Sequence, residues 1–252
     1  MLAHRLALRE LLRHRRRSLL TSLVIVITMA LLTCFQGLSD GGHRAMIDIG
    51  IRLGLGHLVV SATGHSRDPG LDRLVSEGTQ AVAQIREQAG RGVSMVVPRV
   101  RLSGLVQAGP QQVAVVISGV VPADEERVSV IASSESIVEG NTLSRVSARF
   151  PGDLPPMVVG ARLARTLGVR VDDRVTVTAK PRHLNGFSRA AFRVAGIFET
   201  GMQELDGFWI EVPLESARSL ANVGDDVSQI AVYLDDQADL AAIRQRLLPM
   251  AD

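Results

Sequence analysis

Cysteine and aromatic residues are scarce in this sequence of 252 residues. Its one cysteine, Cys34, lies inside a long apolar run, so the rest of the chain has no thiol for a disulfide bond or a thiolate metal site. Aromatic residues make up 3% of the chain, with one tryptophan and one tyrosine. A nucleic-acid surface needs basic residues interleaved with aromatics over the folded domain. We therefore expect no nucleic acid among the partners.

No group of residues in the sequence has the spacing of an active site or a metal centre. Gly37–Gly41 matches Gly-x-Ser-x-Gly, but a nucleophile elbow needs a strand before its serine, and here an apolar helix precedes it. The six histidines are scattered. Asp225-Asp226 and Asp235-Asp236 are typical of solvated turns at strand ends. We expect no enzymatic activity, no metal and no cofactor.

One apolar run of 21 residues extends from Ser18 to Leu38. As a helix rising about 1.5 Å per residue, it is long enough to cross the roughly 30 Å hydrocarbon core of a bilayer. It exceeds the roughly 7–15 apolar residues of a signal peptide, and no small-x-small cleavage site follows it. The run therefore predicts an uncleaved transmembrane anchor.

The positive charge of the chain is concentrated before this span, at Arg13, Arg15, Arg16 and Arg17 among others. Arginines that flank a span stay on the cytoplasmic side, near anionic head groups. We expect the inner (plasma) membrane, a cytoplasmic N-terminus and a main domain on the periplasmic or extracytoplasmic side. Residues 1–17 also have the spacing of a basic amphipathic helix. Whether that helix lies in the membrane interface or only orients the span stays open.

The chain after the span predicts an α+β fold. Residues 39–55 continue the helical pattern as a stalk. Residues 56–125 and 205–252 predict one α+β subdomain that begins with a β-α-β-β unit, and residues 126–204 predict an inserted β-rich subdomain. Within these, we predict helices over 71–88 and 158–168, and a hairpin that joins 94–107 to 111–121 across Ala108-Gly109-Pro110.

Four stretches carry a resemblance to a known family. The basic lead and span end in Gly37-Leu38-Ser39-Asp40-Gly41, and Gly56–Val60 (GHLVV) follows at the junction of stalk and strand. Further along come Val159–Val177 (VGARLARTLGVRVDDRVTV) and Phe192–Asp206 (FRVAGIFETGMQELD). In this order they resemble the permease subunits of ABC transporters of the MacB, LolC/LolE and FtsX-like type. Asp172 stands where that family has a glycine.

The resemblance implies a periplasmic core domain of two subdomains, in a homo- or heterodimer with a second permease subunit. It also implies a separate cytoplasmic ATP-binding subunit that moves the domain mechanically through the membrane helix. The expected function is that of a permease component handling a lipoprotein or other amphipathic cargo. The alternative is a membrane-anchored, non-transporting module that regulates an extracytoplasmic partner such as a cell-wall hydrolase.

Permeases of this type carry three further spans after the domain. These 252 residues contain no such spans. We therefore expect either a fragment of a permease or a partner that supplies the remaining helices.

Met202, Phe208 and Trp209 are the candidate cargo contacts. An aromatic pair beside a loop is unusual in a chain with so few aromatics, and an apolar cargo needs an exposed apolar surface. The alternative interpretation is a buried strand at the interface of the two subdomains, because Phe and Trp are often buried.

Overall fold

The computed structural model describes residues 15–63, 71, 73–90, 92–147, 154–182, 186–235 and 240–247. The chain divides into two compact units, residues 1–49 and residues 50–252. Arg13 and most of the predicted basic helix over 1–17 lie outside the described residues.

Helix α1 (Arg15–Gly50) makes up the described part of the first unit and ends at the first residue of the second. Its segment Leu19–Ser39 is long and apolar enough to cross a membrane, and it is exposed along its whole length. The hydroxyls of Thr21, Thr28 and Thr33 donate to carbonyls four residues earlier, at 2.9, 2.7 and 2.9 Å. These three hydroxyls are thus satisfied inside the helix, as a hydrocarbon environment requires.

The second unit starts with a π-helical turn, Ile51–Leu55, and continues with alternating strands and short helices. The strands are β1 (Leu58–Val60), β2 (Val93–Ala108), β3 (Gln111–Val120), β4 (Ile137–Gly140), β5 (Pro156–Gly160), β6 (Arg174–Ala179), β7 (Ser188–Phe198), β8 (Trp209–Pro213) and β9 (Gln229–Leu234). The helices are α2 (Gly78–Ala89), α3 (Pro122–Val128), α4 (Leu143–Ser147), α5 (Ala161–Leu167), α6 (Leu205–Phe208), α7 (Leu214–Ala221) and α8 (Leu240–Leu247).

Strand β2 belongs to two sheet regions. Its first half pairs with β9, which pairs with β1, in an antiparallel three-stranded sheet. Its second half pairs with both β3 and β6. The order β2-β3-β8-β5-β7-β6 then returns to β2, so these strands form a closed ring, and β4 pairs with β7 outside it.

The register of the ring separates an apolar row from a polar one. Leu102, Ile117, Ile210 and Val159 lie side by side on four neighbouring strands, and all are buried. They belong to the main core, to which α2, α5, α7 and α8 also contribute side chains. Because successive side chains of a strand point to opposite faces, the adjacent row of Arg101, Ser118 and Glu211 lies on the other face.

The structure confirms the predicted hairpin and fold class and corrects the start of both predicted helices. The hairpin of β2 and β3 is confirmed, as is a mixed α and β domain behind one apolar helix. The helix predicted over 71–88 begins only at Gly78, because Val75 pairs with Val227 as an isolated bridge and Glu77 has a left-handed backbone. The helix predicted over 158–168 is wrong in its first turn, since the buried Val158 and Val159 extend β5 between β7 and β8.

The predicted subdomain boundaries at 126 and 204 stay a prediction. Strands β3 and β8, which come from the predicted first subdomain, pair in the same ring as β5, β6 and β7 from the predicted insertion. Strand β4 and helix α4 lie in the stretch predicted as the β-rich insertion.

Candidate functional site: a buried charge cluster at the neck of the domain

The chain passes from α1 to β1 through residues 51–56, a segment we call the neck. Gly54 and Gly56 have φ values of +89° and +72°, which favour glycine. Leu53 packs on a cluster that contains Val120 and Trp209, while Ile51 packs on Val97, Ala231 and Tyr233. The neck is therefore part of the packed second unit.

Four groups bind the neck to the sheet, and we call them the clasp: Gly54, Arg99, Glu125 and Tyr233. Arg99 Nε and Nη2 donate to the two carboxylate oxygens of Glu125, at 2.9 and 2.7 Å. Arg99 Nη2 also donates to the Tyr233 hydroxyl at 2.9 Å, and Nη1 donates to the Gly54 carbonyl. A planar guanidinium thus joins β2, α3, β9 and the neck through charge-assisted hydrogen bonds.

The clasp is closed to solvent. The side chains of Arg99 and Glu125 are 1% and 2% exposed. A Cβ on Gly54 would lie 3.2 Å from both Arg99 Nη2 and Glu125 Oε1. Position 54 therefore needs glycine for its close approach as well as for its backbone conformation.

The clasp stabilises the charge of Arg99. Burial alone would lower the pKa of Arg99, but the charge and hydrogen bonds of Glu125 outweigh it and raise that pKa above its ordinary value. Burial raises the pKa of Tyr233 against the opposing charge of Arg99, so the phenol stays neutral. One buried carboxylate thus compensates one buried cation.

A second polar group lies beside the clasp on the same face of the sheet. Arg101 lies two residues after Arg99 on β2, and its guanidinium carbon is 5.0 Å from the centroid of the Trp209 ring. Glu211 lies two residues after Trp209 on β8 and is 1% exposed. Arg101 Nε, Trp209 Nε1 and Glu211 Oε2 are buried and have no hydrogen-bond partner among the described residues.

The ionised forms of this second group are disfavoured. Burial, followed by the charge of Glu125, raises the pKa of Glu211 to about 8. Burial, followed by the charge of Arg99, lowers the pKa of Arg101 to about 10. At neutral pH Glu211 is therefore mostly a neutral acid, and Arg101 is a cation held over an aromatic ring.

The predicted site residues lie in different surroundings. Arg15 is the first residue of α1, and Arg16 and Arg17 are exposed on it. Met202 is half-buried, Phe208 is 37% exposed and Trp209 is 9% exposed. The Phe208 and Trp209 rings meet edge to face, with their centroids 6.5 Å apart. The pair therefore has one ring in a core cluster and one ring partly in solvent.

Sequence reasoning missed the clasp and Glu211. Arg99 and Arg101 alternate with apolar residues, which is also the pattern of a solvent-facing strand surface. Glu125 belongs to an acidic first turn of α3, which normally is exposed. Within the described residues, no three His, Cys, Asp or Glu side chains are placed to hold a metal ion.

Comparison with known proteins gives three findings. A sequence model of the MacB-like periplasmic core domain matches residues 18–249. The lipoprotein-releasing system transmembrane protein LolC of Neisseria meningitidis serogroup B is 23% identical over 165 residues. That alignment covers 64% of this chain and 38% of LolC, so the chain spans well under half of the length of this relative.

The third finding is a likeness of fold. The periplasmic region of MacB from Actinobacillus actinomycetemcomitans matches with a TM-score of 0.50 and 13% identity, over 76% of this chain and 80% of that one. The extracellular domain of YknZ, a noncanonic ABC-type transporter from Gram-positive bacteria, matches with a TM-score of 0.49 and 12% identity, over 77% and 95%.

Proposed function

The chain belongs to the family of MacB-like periplasmic core domains, and from that premise we propose that it is the membrane-anchored, extracytoplasmic part of an ABC-type transporter permease. In this proposal α1 crosses the inner membrane with its N-terminus in the cytoplasm. A cytoplasmic ATP-binding subunit and a second permease subunit complete the transporter. The cargo is a lipoprotein or another amphipathic molecule.

The observation that carries this proposal is the clasp. A force applied along α1 reaches the second unit through the neck, because the chain is continuous there. Arg99 donates from Nη1 to the Gly54 carbonyl of the neck and is itself held by a buried, bidentate ion pair with Glu125. A buried pair of this kind is costly to break, on the order of 3–5 kcal/mol when one partner is lost. The clasp thus fixes the neck to the sheet of the second unit, which supports a role for the neck in passing force to that unit.

The exposed apolar residues near α6 support an amphipathic cargo. Phe208 is partly exposed, Met202 is half-buried, and Trp209 anchors the end of their loop in the core. Apolar groups on a surface are typical of binding regions when they lie together. We propose Met202 and Phe208 as contacts and Trp209 as their support.

Co-purification from native membranes tests the proposal. We expect that the chromosomally tagged protein, crosslinked in its own membrane, recovers an ATP-binding subunit. Recovery of the tagged protein without any ATP-binding subunit would contradict the proposal. Recovery of a cell-wall hydrolase in its place would favour the non-transporting alternative.

A photo-crosslinking residue at position 208 of the same tagged protein identifies the cargo. The expected adduct is an acylated protein or a lipid-like molecule, and the matched control carries the crosslinker at the exposed Arg189 of β7. Equal adducts at positions 208 and 189 would contradict the cargo assignment and leave the ATPase assignment standing.

A further inference from the structure

Arg101 has two possible partners on one face of the sheet. In the structure it lies over the Trp209 ring, 5.0 Å from the centroid. The register Arg101, Ser118, Glu211 also places the Glu211 carboxyl in the same row, with only a serine between them. Two strand spacings separate their backbones by roughly 9.5 Å, a gap that the long side chains of arginine and glutamate can close.

The present arrangement leaves one buried polar atom of each of these two residues without a partner. Arg101 is in no ion pair within the described part of the chain, its Nε has no hydrogen-bond partner there, and neither has Glu211 Oε2. Unpaired buried polar atoms cost free energy, because they lose their hydrogen bonds to water. A direct Arg101–Glu211 ion pair would satisfy both atoms but would require Arg101 to leave the ring.

We propose that Arg101 is a two-position residue, stacked on Trp209 while Glu211 is protonated and paired with Glu211 once that carboxyl ionises. The proposal concerns the second unit alone and does not depend on the identity of cargo or ATPase. It would link the clasp to the loop that ends at Trp209.

The link to the clasp is electrostatic. The charged groups that act on Glu211 are Glu125 of α3 and Arg99 and Arg101 of β2, and Tyr233 of β9 acts on Arg101. Among them the Glu125 carboxylate disfavours ionisation of Glu211, and both arginines favour it. A displacement of Glu125, which the neck contacts, therefore shifts Glu211 towards the ionised form and Arg101 towards Glu211.

The other end of the link is the exposed loop. Trp209 supports Phe208 edge to face, and its ring is covered on one side by Arg101. Removing the cation uncovers the ring and weakens a cation–π contact. The Arg101 side chain thus has two discrete positions, and both the neck and the loop that ends at Trp209 favour one over the other. Coupling between two sites requires such a shared two-state element.

Trp209 is the sole tryptophan of the chain, so its fluorescence reports on Arg101 without labelling. We would titrate acrylamide quenching of the full chain in detergent micelles between about pH 6 and about pH 9.5, which brackets ionisation of Glu211. The expected result is a quenching constant that rises with pH as Arg101 leaves the ring. Glu211→Gln should keep the low constant throughout, and Glu125→Gln should move the transition to lower pH.

The matched control is Glu139→Gln, on the exposed part of β4, which should titrate like the unmodified chain. A constant that does not change with pH, or that changes equally in Glu211→Gln, would overturn the proposal. The comparison of the unmodified chain with Glu211→Gln is sufficient even where Glu125→Gln does not fold.

Discussion

Replacing Arg99 with methionine is expected to lower the free energy of unfolding by about 3–5 kcal/mol, because Glu125 then remains as a buried charge without its partner. The Glu125 side chain is 2% exposed, and Arg99 donates to both of its carboxylate oxygens. Methionine fills a similar volume, so the lost stability reflects the missing ion pair with Glu125 more than a cavity. Urea unfolding of the full chain, followed by Trp209 fluorescence and circular dichroism, gives the value.

A double-mutant cycle separates the pair from its surroundings. Glu125→Leu alone leaves Arg99 unpaired and should cost a similar amount, whereas Arg99→Met with Glu125→Leu should lose much less than the two single losses added together. Arg189→Met on the exposed part of β7 is the control and should stay within about 0.5 kcal/mol. Additive single losses would show that the two side chains do not act as a pair.

Replacing Glu211 with glutamine is expected to change how stability depends on pH. The pKa of Glu211 rises from its ordinary 4.5 to about 8 in the folded domain. Below the ordinary value both the folded and the unfolded chain are protonated, and the residue has no effect. Between the two values only the unfolded chain releases the proton, so stability falls as the pH rises, and above the folded value the fall ends.

Each unit of difference between the folded and the unfolded pKa changes the free energy of unfolding by about 1.36 kcal/mol. The difference between 4.5 and about 8 therefore lowers stability by roughly 4–5 kcal/mol from acid to alkaline conditions. We expect Glu211→Gln to remove this loss, so that the variant is relatively more stable at alkaline pH. The measurement is the free energy of unfolding of both proteins across that range, with Glu139→Gln as the exposed control. Parallel pH profiles would mean that Glu211 is ionised in the folded domain at neutral pH.

The sequence was informative where one local signal sufficed. The apolar run predicted the membrane-length part of α1, and alternating residues around Gly109-Pro110 predicted the β2–β3 hairpin. Asp172, which stands at a glycine position of the resembling family, indeed has φ +73°. Each of these features is determined by a few adjacent residues. A pattern read over a short stretch of sequence therefore contains its whole physical cause.

The closed ring and the clasp could not be predicted in this way. The sequence predicts the second part of β5 as helix because Val158 and Val159 directly precede a helical pattern, and only pairing with β7 and β8 makes them a strand. Arg99 meets Glu125, 26 positions away, and Tyr233, 134 positions away. Burial of charges at such separations is a property of the assembled sheet, and no single-sequence pattern encodes it.

Amide hydrogen exchange of the full chain in lipid nanodiscs tests most directly the claim that the neck is held as part of the domain. His57 N–H donates to the Val232 carbonyl at 3.0 Å, and β1 continues this pairing on β9. We predict that peptides covering residues 51–60 exchange on the order of a thousandfold or more slowly than a free peptide, and as slowly as those of β9. Fast exchange at the neck beside a protected β9 would contradict the account.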